Sequence, residues 1–224
     1  MNYRTRIKMC GTTRMDDAQV AAALGVDALG FIFAEKSPRY ISPELALEIT
    51  RQVPPLITKV GVFVDGNLQE IEEIVYYLGL NGVQLHGGES PSFCERLASA
   101  MPSCTVIKAM RVGKHSKPSD FSSYKDTVKG FVLDTYVEDK EGGTGETFDW
   151  NIVKKLQIRH PYILAGGLNP ENIRSALEIT TPFGVDVNSG VEDAPGMKNH
   201  QSLKRFMGTV TDFDRLRLTL SEPQ

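Results

Sequence analysis

Cysteine is scarce in this chain, positive charge is not in excess, and long apolar runs are missing; each shortage excludes something. Three cysteines, Cys10, Cys94 and Cys104, occur in 224 residues. An odd number, at spacings unlike those of a zinc site or a secreted disulfide framework, predicts reduced thiols and no bound metal. Lysine and arginine number 25 against 28 aspartates and glutamates, a net charge of -3. No overall field draws such a chain to nucleic acid or to an anionic membrane, so any anionic ligand must be gripped locally. No apolar stretch reaches the roughly 18 residues of a spanning helix, and the N-terminus lacks a basic segment leading into an apolar run. The expectation is a cytoplasmic protein with neither nucleic-acid nor membrane partners.

What is present is a hydrophobic fraction of 41% beside a charged fraction of 24%, the composition of an ordinary globule with a sizeable core. Short β-branched runs alternate with longer segments of helical spacing. The strand-like runs are Arg6 to Cys10, Ala28 to Phe33, Thr58 to Val64, Gly82 to Leu85, Thr105 to Ala109, Gly130 to Asp134, Tyr162 to Ala165 and Phe183 to Val187. Between them lie sets such as Leu68, Ile71, Ile74, Val75 and Leu78, one face of a helix. Ser42-Pro43-Glu44, Ser90-Pro91 and Asn169-Pro170-Glu171 read as helix starts. Eight such units without a break in composition predict a single-domain (β/α)8 barrel over residues 1–220, with a polar tail at 221–224. An open doubly wound sheet is the alternative, but the spaced glycines of its nucleotide fingerprint do not follow the first strand.

In a parallel barrel the carboxyl ends of the strands converge on one mouth, and several of these ends carry reactive or polar groups. Cys10 ends the first; taken alone, a lone cysteine is better explained as a small core hydrophobe, and it is the groups on the later strands that favour chemistry. Lys8 lies two positions earlier, on the same face, where it can supply positive potential to the thiol or pair with a carboxylate such as Asp186. Arg39, after strand two, combines a planar fork for carboxylates with a face that lies against aromatic rings. Gln84 and His86 end strand four with polar groups. Asp134 ends strand six and leads into a glycine-rich loop, Gly142 to Trp150, of a length that usually has a function. After strand seven come Gly166 and Gly167, and after strand eight Asn188, Ser189 and Gly190, a run that could open a short extra helix. Phosphate binding by these two loops recurs in this architecture.

The ordered segments Lys8-Met9-Cys10-Gly11, Gly30-Phe31-Ile32-Phe33, Ser37-Pro38-Arg39-Tyr40-Ile41, Gly61-Val62-Phe63-Val64, Val83-Gln84-Leu85-His86-Gly87, Leu133-Asp134-Thr135, Gly142-Gly143-Thr144-Gly145, Gly166-Gly167-Leu168-Asn169 and Asn188-Ser189-Gly190-Val191-Glu192 resemble those of the phosphoribosylanthranilate isomerases of tryptophan biosynthesis. The resemblance spans nearly the whole chain. It implies an Amadori rearrangement of N-(5-phosphoribosyl)anthranilate, with Cys10 as general base, Asp134 as general acid and Arg39 near the anthranilate. Lys8, Gln84, His86, Gly143 and Asp186 are the further expected substrate contacts, and Gly166, Gly167, Asn188, Ser189 and Gly190 the expected phosphate contacts. Glu146 departs from the family, which often carries a basic or amide side chain there. The iminium formed on ring opening stores the electrons released by deprotonation, so neither metal nor coenzyme is expected. A monomer is expected rather than a homodimer. Two other readings stay open: a non-catalytic phosphosugar-binding barrel, and another phosphosugar enzyme working through a Schiff base at Lys8 or Lys108.

Overall fold

Strands that are apolar on both faces need cover on both, and a sheet closed on itself inside a ring of helices supplies it. The computed structural model describes residues 4–134 and 149–219. In it β1 (Arg6–Met9), β2 (Ala28–Ile32), β3 (Thr58–Phe63), β4 (Gly82–Leu85), β5 (Thr105–Arg111), β6 (Gly130–Asp134), β7 (Tyr162–Ala165) and β8 (Gly184–Val187) close in order into a parallel barrel. β8 pairs back onto β1, and this sets Lys8 opposite Asp186. The predicted strand bounds hold to within a residue or so except at β5, which runs on to Arg111 and pairs there with Asp134.

Outside the strands lie α1 (Met15–Leu24), α2 (Pro43–Thr50), α3 (Leu68–Leu78), α4 (Pro91–Ala100), α5 (Ser119–Ser122), α6 (Asn151–Lys155), α7 (Ile173–Thr180) and α8 (His200–Thr219). Ser42 and Ser90 cap their helices as predicted, accepting from the Leu45 and Phe93 amides at 3.4 and 3.2 Å. The third predicted start differs. Asn169 accepts from the Glu171 and Asn172 amides at 3.0 Å each, and this local turn delays α7 to Ile173. After β8 the chain makes one 3-10 turn, Ser189–Val191, and then an antiparallel hairpin of β9 (Glu192–Ala194) and β10 (Met197–Lys198). The short extra helix is therefore a single turn, and the hairpin beyond it has no strong sequence signal.

Alternation along each strand divides the apolar side chains between two layers. Ala109, Val132 and Ala165 fill the barrel interior with Ile107 and Ile163, while Phe31, Phe131, Leu97 and Phe206 pack between strands and helices. Among the described residues no helix is long and apolar enough to cross a membrane. Phe131 is 1% exposed and meets Phe121 edge-on at a centroid distance of 5.2 Å. Phe131→Ala should cost about 3–5 kcal/mol in urea unfolding, through lost burial and the cavity left behind. A loss below about 1 kcal/mol would contradict this packing.

Candidate active site

Residues in phase with Lys8 on β1 point into the barrel, and the next one up is Cys10, just past the strand end. The Lys8 ammonium pairs with Asp186 at 2.7 Å, with the two side chains 4% and 7% exposed. A Cβ at Gly30, on the neighbouring strand, would lie 2.9 Å from Cys10 Sγ and 3.0 Å from Lys8 Nζ. Only glycine there leaves room for both groups. Burial disfavours the Lys8 charge, but Asp186 and Cys10 outweigh it and its pKa is raised. Burial likewise pushes the Cys10 thiol up; Lys8 pulls it back, Asp186 adds to the rise, Lys198 pulls back a little more, and the net shift is upward. The two readings of Lys8 thus coexist: it is an ion-pair partner and still bears on the thiol. Cys94 and Cys104 are buried in the helix layer, with Cys94 raised by burial to about 11.

Across the mouth, Asp134 ends β6. His86 Nε2 lies 3.2 Å from its Oδ2, and Gln84 Nε2 lies 3.0 Å from His86 Nδ1. With the Gln84 amide donating to Nδ1, the imidazole carries its proton on Nε2 and donates to Asp134. Gln84 Oε1 and Asp186 Oδ1 are buried acceptors without a hydrogen-bond partner among the described residues. Such groups are costly to leave unpaired unless something else fills them.

Arg39 is neither solvated nor free. Its Nε and Nη2 grip Glu192 at 2.7–3.0 Å, and Lys198 Nζ reaches the same carboxylate at 2.7 Å and Asn188 Oδ1 at 2.8 Å. Burial pushes the Glu192 carboxyl up, but the hydrogen bonds and charges of Arg39 and Lys198 outweigh it and hold it below its ordinary value. Sequence reasoning missed Lys198 altogether. It sits on a two-residue strand whose pairing no periodicity announces.

Gly166 and Gly167 both have positive φ, 87° and 64°. A Cβ at Gly190 would fall 1.9 Å from the Leu168 carbonyl oxygen, so the loops after β7 and β8 are in contact and the mouth has a continuous rim there. Gly143 and Glu146 lie outside the described residues. Lys108 belongs to a different layer: its Nζ is within 2.8 Å of the Gly87 carbonyl, 2.9 Å of that of Ala109 and 3.1 Å of the Glu89 carboxylate. A lysine so engaged is a clamp under β4, not a nucleophile. Beside it a cavity of about 470 Å³ is lined by His86, Arg111 and Tyr124 among others. Among the described residues no group of three or more histidine, cysteine, aspartate or glutamate side chains is placed to hold a metal ion.

A closed (β/α)8 barrel that gathers a thiol beside a buried ion pair and a histidine-held carboxyl at its strand ends has the form of an enzyme of the barrel class. The model of the N-(5'-phosphoribosyl)anthranilate (PRA) isomerase family matches residues 7–209, and the chain belongs to that family. The N-(5'-phosphoribosyl)anthranilate isomerase of Gloeothece citriformis is 43% identical over 194 residues, covering 87% of this chain and 88% of that one. The crystal structure of phosphoribosyl anthranilate isomerase from Thermotoga maritima superposes with a TM-score of 0.83 at 42% identity, covering 93% of this chain and 99% of that one. A phosphoribosyl anthranilate isomerase solved with reduced 1-(o-carboxyphenylamino)-1-deoxyribulose 5-phosphate gives a TM-score of 0.80 at 40% identity, with coverage of 93% and 99%.

The raised Cys10 pKa has a sign that can be tested. A raised thiol is mostly protonated at neutral pH, so the thiolate ultraviolet absorbance lost in Cys10→Ser, read as a difference from the parent, should climb with pH and level off only above the ordinary thiol range of about 8.5. A difference already full at about pH 7 would contradict it.

Proposed function

We propose that this barrel converts N-(5'-phosphoribosyl)anthranilate into 1-(2-carboxyphenylamino)-1-deoxyribulose 5-phosphate, with Asp134 as general acid and Cys10 as general base. The observation that carries the assignment is the pairing of environments. Cys10 sits against Lys8 over Gly30, while Asp134 is held through one oxygen by His86. With Oδ2 engaged by His86, Oδ1 is left to carry a proton to the ribose ring oxygen. The ring C–O bond breaks as the anthranilate nitrogen lone pair forms the iminium. The Cys10 thiolate then removes the proton from the neighbouring carbon, and that electron pair flows into the iminium to give an enolamine, which tautomerises to the ketone. The iminium is a cation formed beside the thiolate, and it offsets part of the burial that opposes thiolate formation.

Asp186 Oδ1 is a buried acceptor suited to a ribose hydroxyl, and Gln84 acts through His86, whose tautomer it sets. The loops carrying Gly166, Gly167, Asn188, Ser189 and Gly190 receive the phosphate, with glycines letting backbone N–H groups come close. Arg39 meets the anthranilate carboxylate. Every group named comes from one chain, so a monomer suffices for turnover. A binding-only barrel has no use for a thiol and a carboxyl held in this way, and a Schiff-base enzyme needs a free lysine where Lys108 is clamped.

Cys10→Ser and Asp134→Asn should each keep the parental melting behaviour and lose turnover of freshly made phosphoribosylanthranilate by about 10²- to 10⁴-fold, the usual contribution of a positioned acid or base. Near-parental turnover in either folded variant would remove that residue from the mechanism.

A further inference from the structure

The Arg39 guanidinium is a planar fork with five N–H donors. Glu192 takes the side formed by Nε and Nη2, at 3.0 and 2.9 Å to Nε and 2.7 Å to Nη2. The other edge, Nη1 with the second Nη2 proton, makes no hydrogen bond or ion pair among the described residues. Glu192 therefore aims the fork without consuming it, and a second carboxylate can dock on the open edge.

Aiming has an electrostatic cost. A carboxylate arriving at that edge meets the negative charge of Glu192 one guanidinium-width behind the positive charge it seeks, and the Arg39–Glu192 pair alone is neutral. Lys198 changes the balance. Its side chain is 0% exposed and Glu192 is 4% exposed, so their 2.7 Å pair is shielded little by water. Arg39, Glu192 and Lys198 together carry one net positive charge at the mouth.

We propose that Lys198 is a positioning residue for substrate selection: it offsets Glu192, so that Arg39, aimed by Glu192, keeps its positive charge available to the carboxylate on the substrate's aromatic ring. The inference rests on Arg39 as the carboxylate grip. It goes further in giving the hairpin after β8 a part in choosing the substrate.

Two probes isolate that role: reduced 1-(o-carboxyphenylamino)-1-deoxyribulose 5-phosphate, and the same molecule without the ring carboxylate. The ratio of their dissociation constants, read by titration calorimetry, reports the carboxylate alone, because any disturbance of the Asn188 loop or of the fold affects both probes. Lys198→Met should shrink the ratio by about tenfold, the effect expected of one buried charge at this range. Lys198→Arg should hold it within about twofold, since the charge is kept. The double variant Glu192→Gln/Lys198→Met should return to the parental ratio, because with Glu192 neutral nothing is left to offset. That recovery is not expected of a merely structural lysine, and it carries the test if Lys198→Met alone does not fold. A parental ratio in folded Lys198→Met, or a double variant whose ratio stays low, overturns the proposal. Arg39→Ala separates the two levels: if it leaves the ratio intact the grip itself is wrong, and if it abolishes the ratio while Lys198→Met does not, only the role of Lys198 falls.

Discussion

A lysine and an aspartate buried against each other beneath the mouth govern what the groups above them can do. Taking two charges out of water costs several kcal/mol per ion, and the cost is offset only when the pair is close and well aligned. Lys8 and Asp186 meet at 2.7 Å on adjacent strands in direct register, which the closure of β8 onto β1 enforces. The ammonium so held is a fixed positive charge within reach of Cys10. Lys198, tied to Glu192, is a second cation that the thiol feels. Burial raises the Cys10 thiol, the two lysines only partly oppose it and Asp186 adds to the rise, so its pKa stays raised, not lowered. Such a thiol stays largely protonated in the empty site, and positive charge developing on a ligand beside it would favour the thiolate.

The backbone makes room for this arrangement at two places. At Gly30 a methyl group would collide with both the thiol and the ammonium, and at Gly190 it would collide with the Leu168 carbonyl. The first glycine leaves room for the thiol beside the ammonium, and the second brings the last two loops together. On the far side, Gln84 fixes the His86 tautomer and His86 fixes one oxygen of Asp134, so the carboxyl is oriented by a chain of hydrogen bonds rooted in the interior of β4.

Much of this could be read from the sequence because a parallel barrel translates position directly into place. A residue ending a strand is at the mouth, and Cys10, His86 and Asp134 each end or immediately follow one. The two alternatives for Lys8 were both legible from its phase with Cys10, and side-chain reach lets both hold. What could not be read are contacts fixed by short or irregular backbone. Arg39 and Glu192 are separated by 153 positions and meet only because a single 3-10 turn and a hairpin of three- and two-residue strands fold back over the mouth. Strands that short carry no alternation to detect. The clamp at Lys108 was equally hidden, since an apolar strand with one lysine does not reveal that its ammonium meets Glu89 and three carbonyls.

The central claim is that a thiol and a carboxyl approach one ribose from two sides, and the most direct test is a crystal structure of this protein with reduced 1-(o-carboxyphenylamino)-1-deoxyribulose 5-phosphate bound. The account predicts Cys10 Sγ in van der Waals contact, about 3.5–4 Å, with the carbon that loses its proton, and an Asp134 oxygen within hydrogen-bond reach of the former ring oxygen. A ligand seated with either group turned away from its atom, or with both on the same side of the sugar, would contradict it.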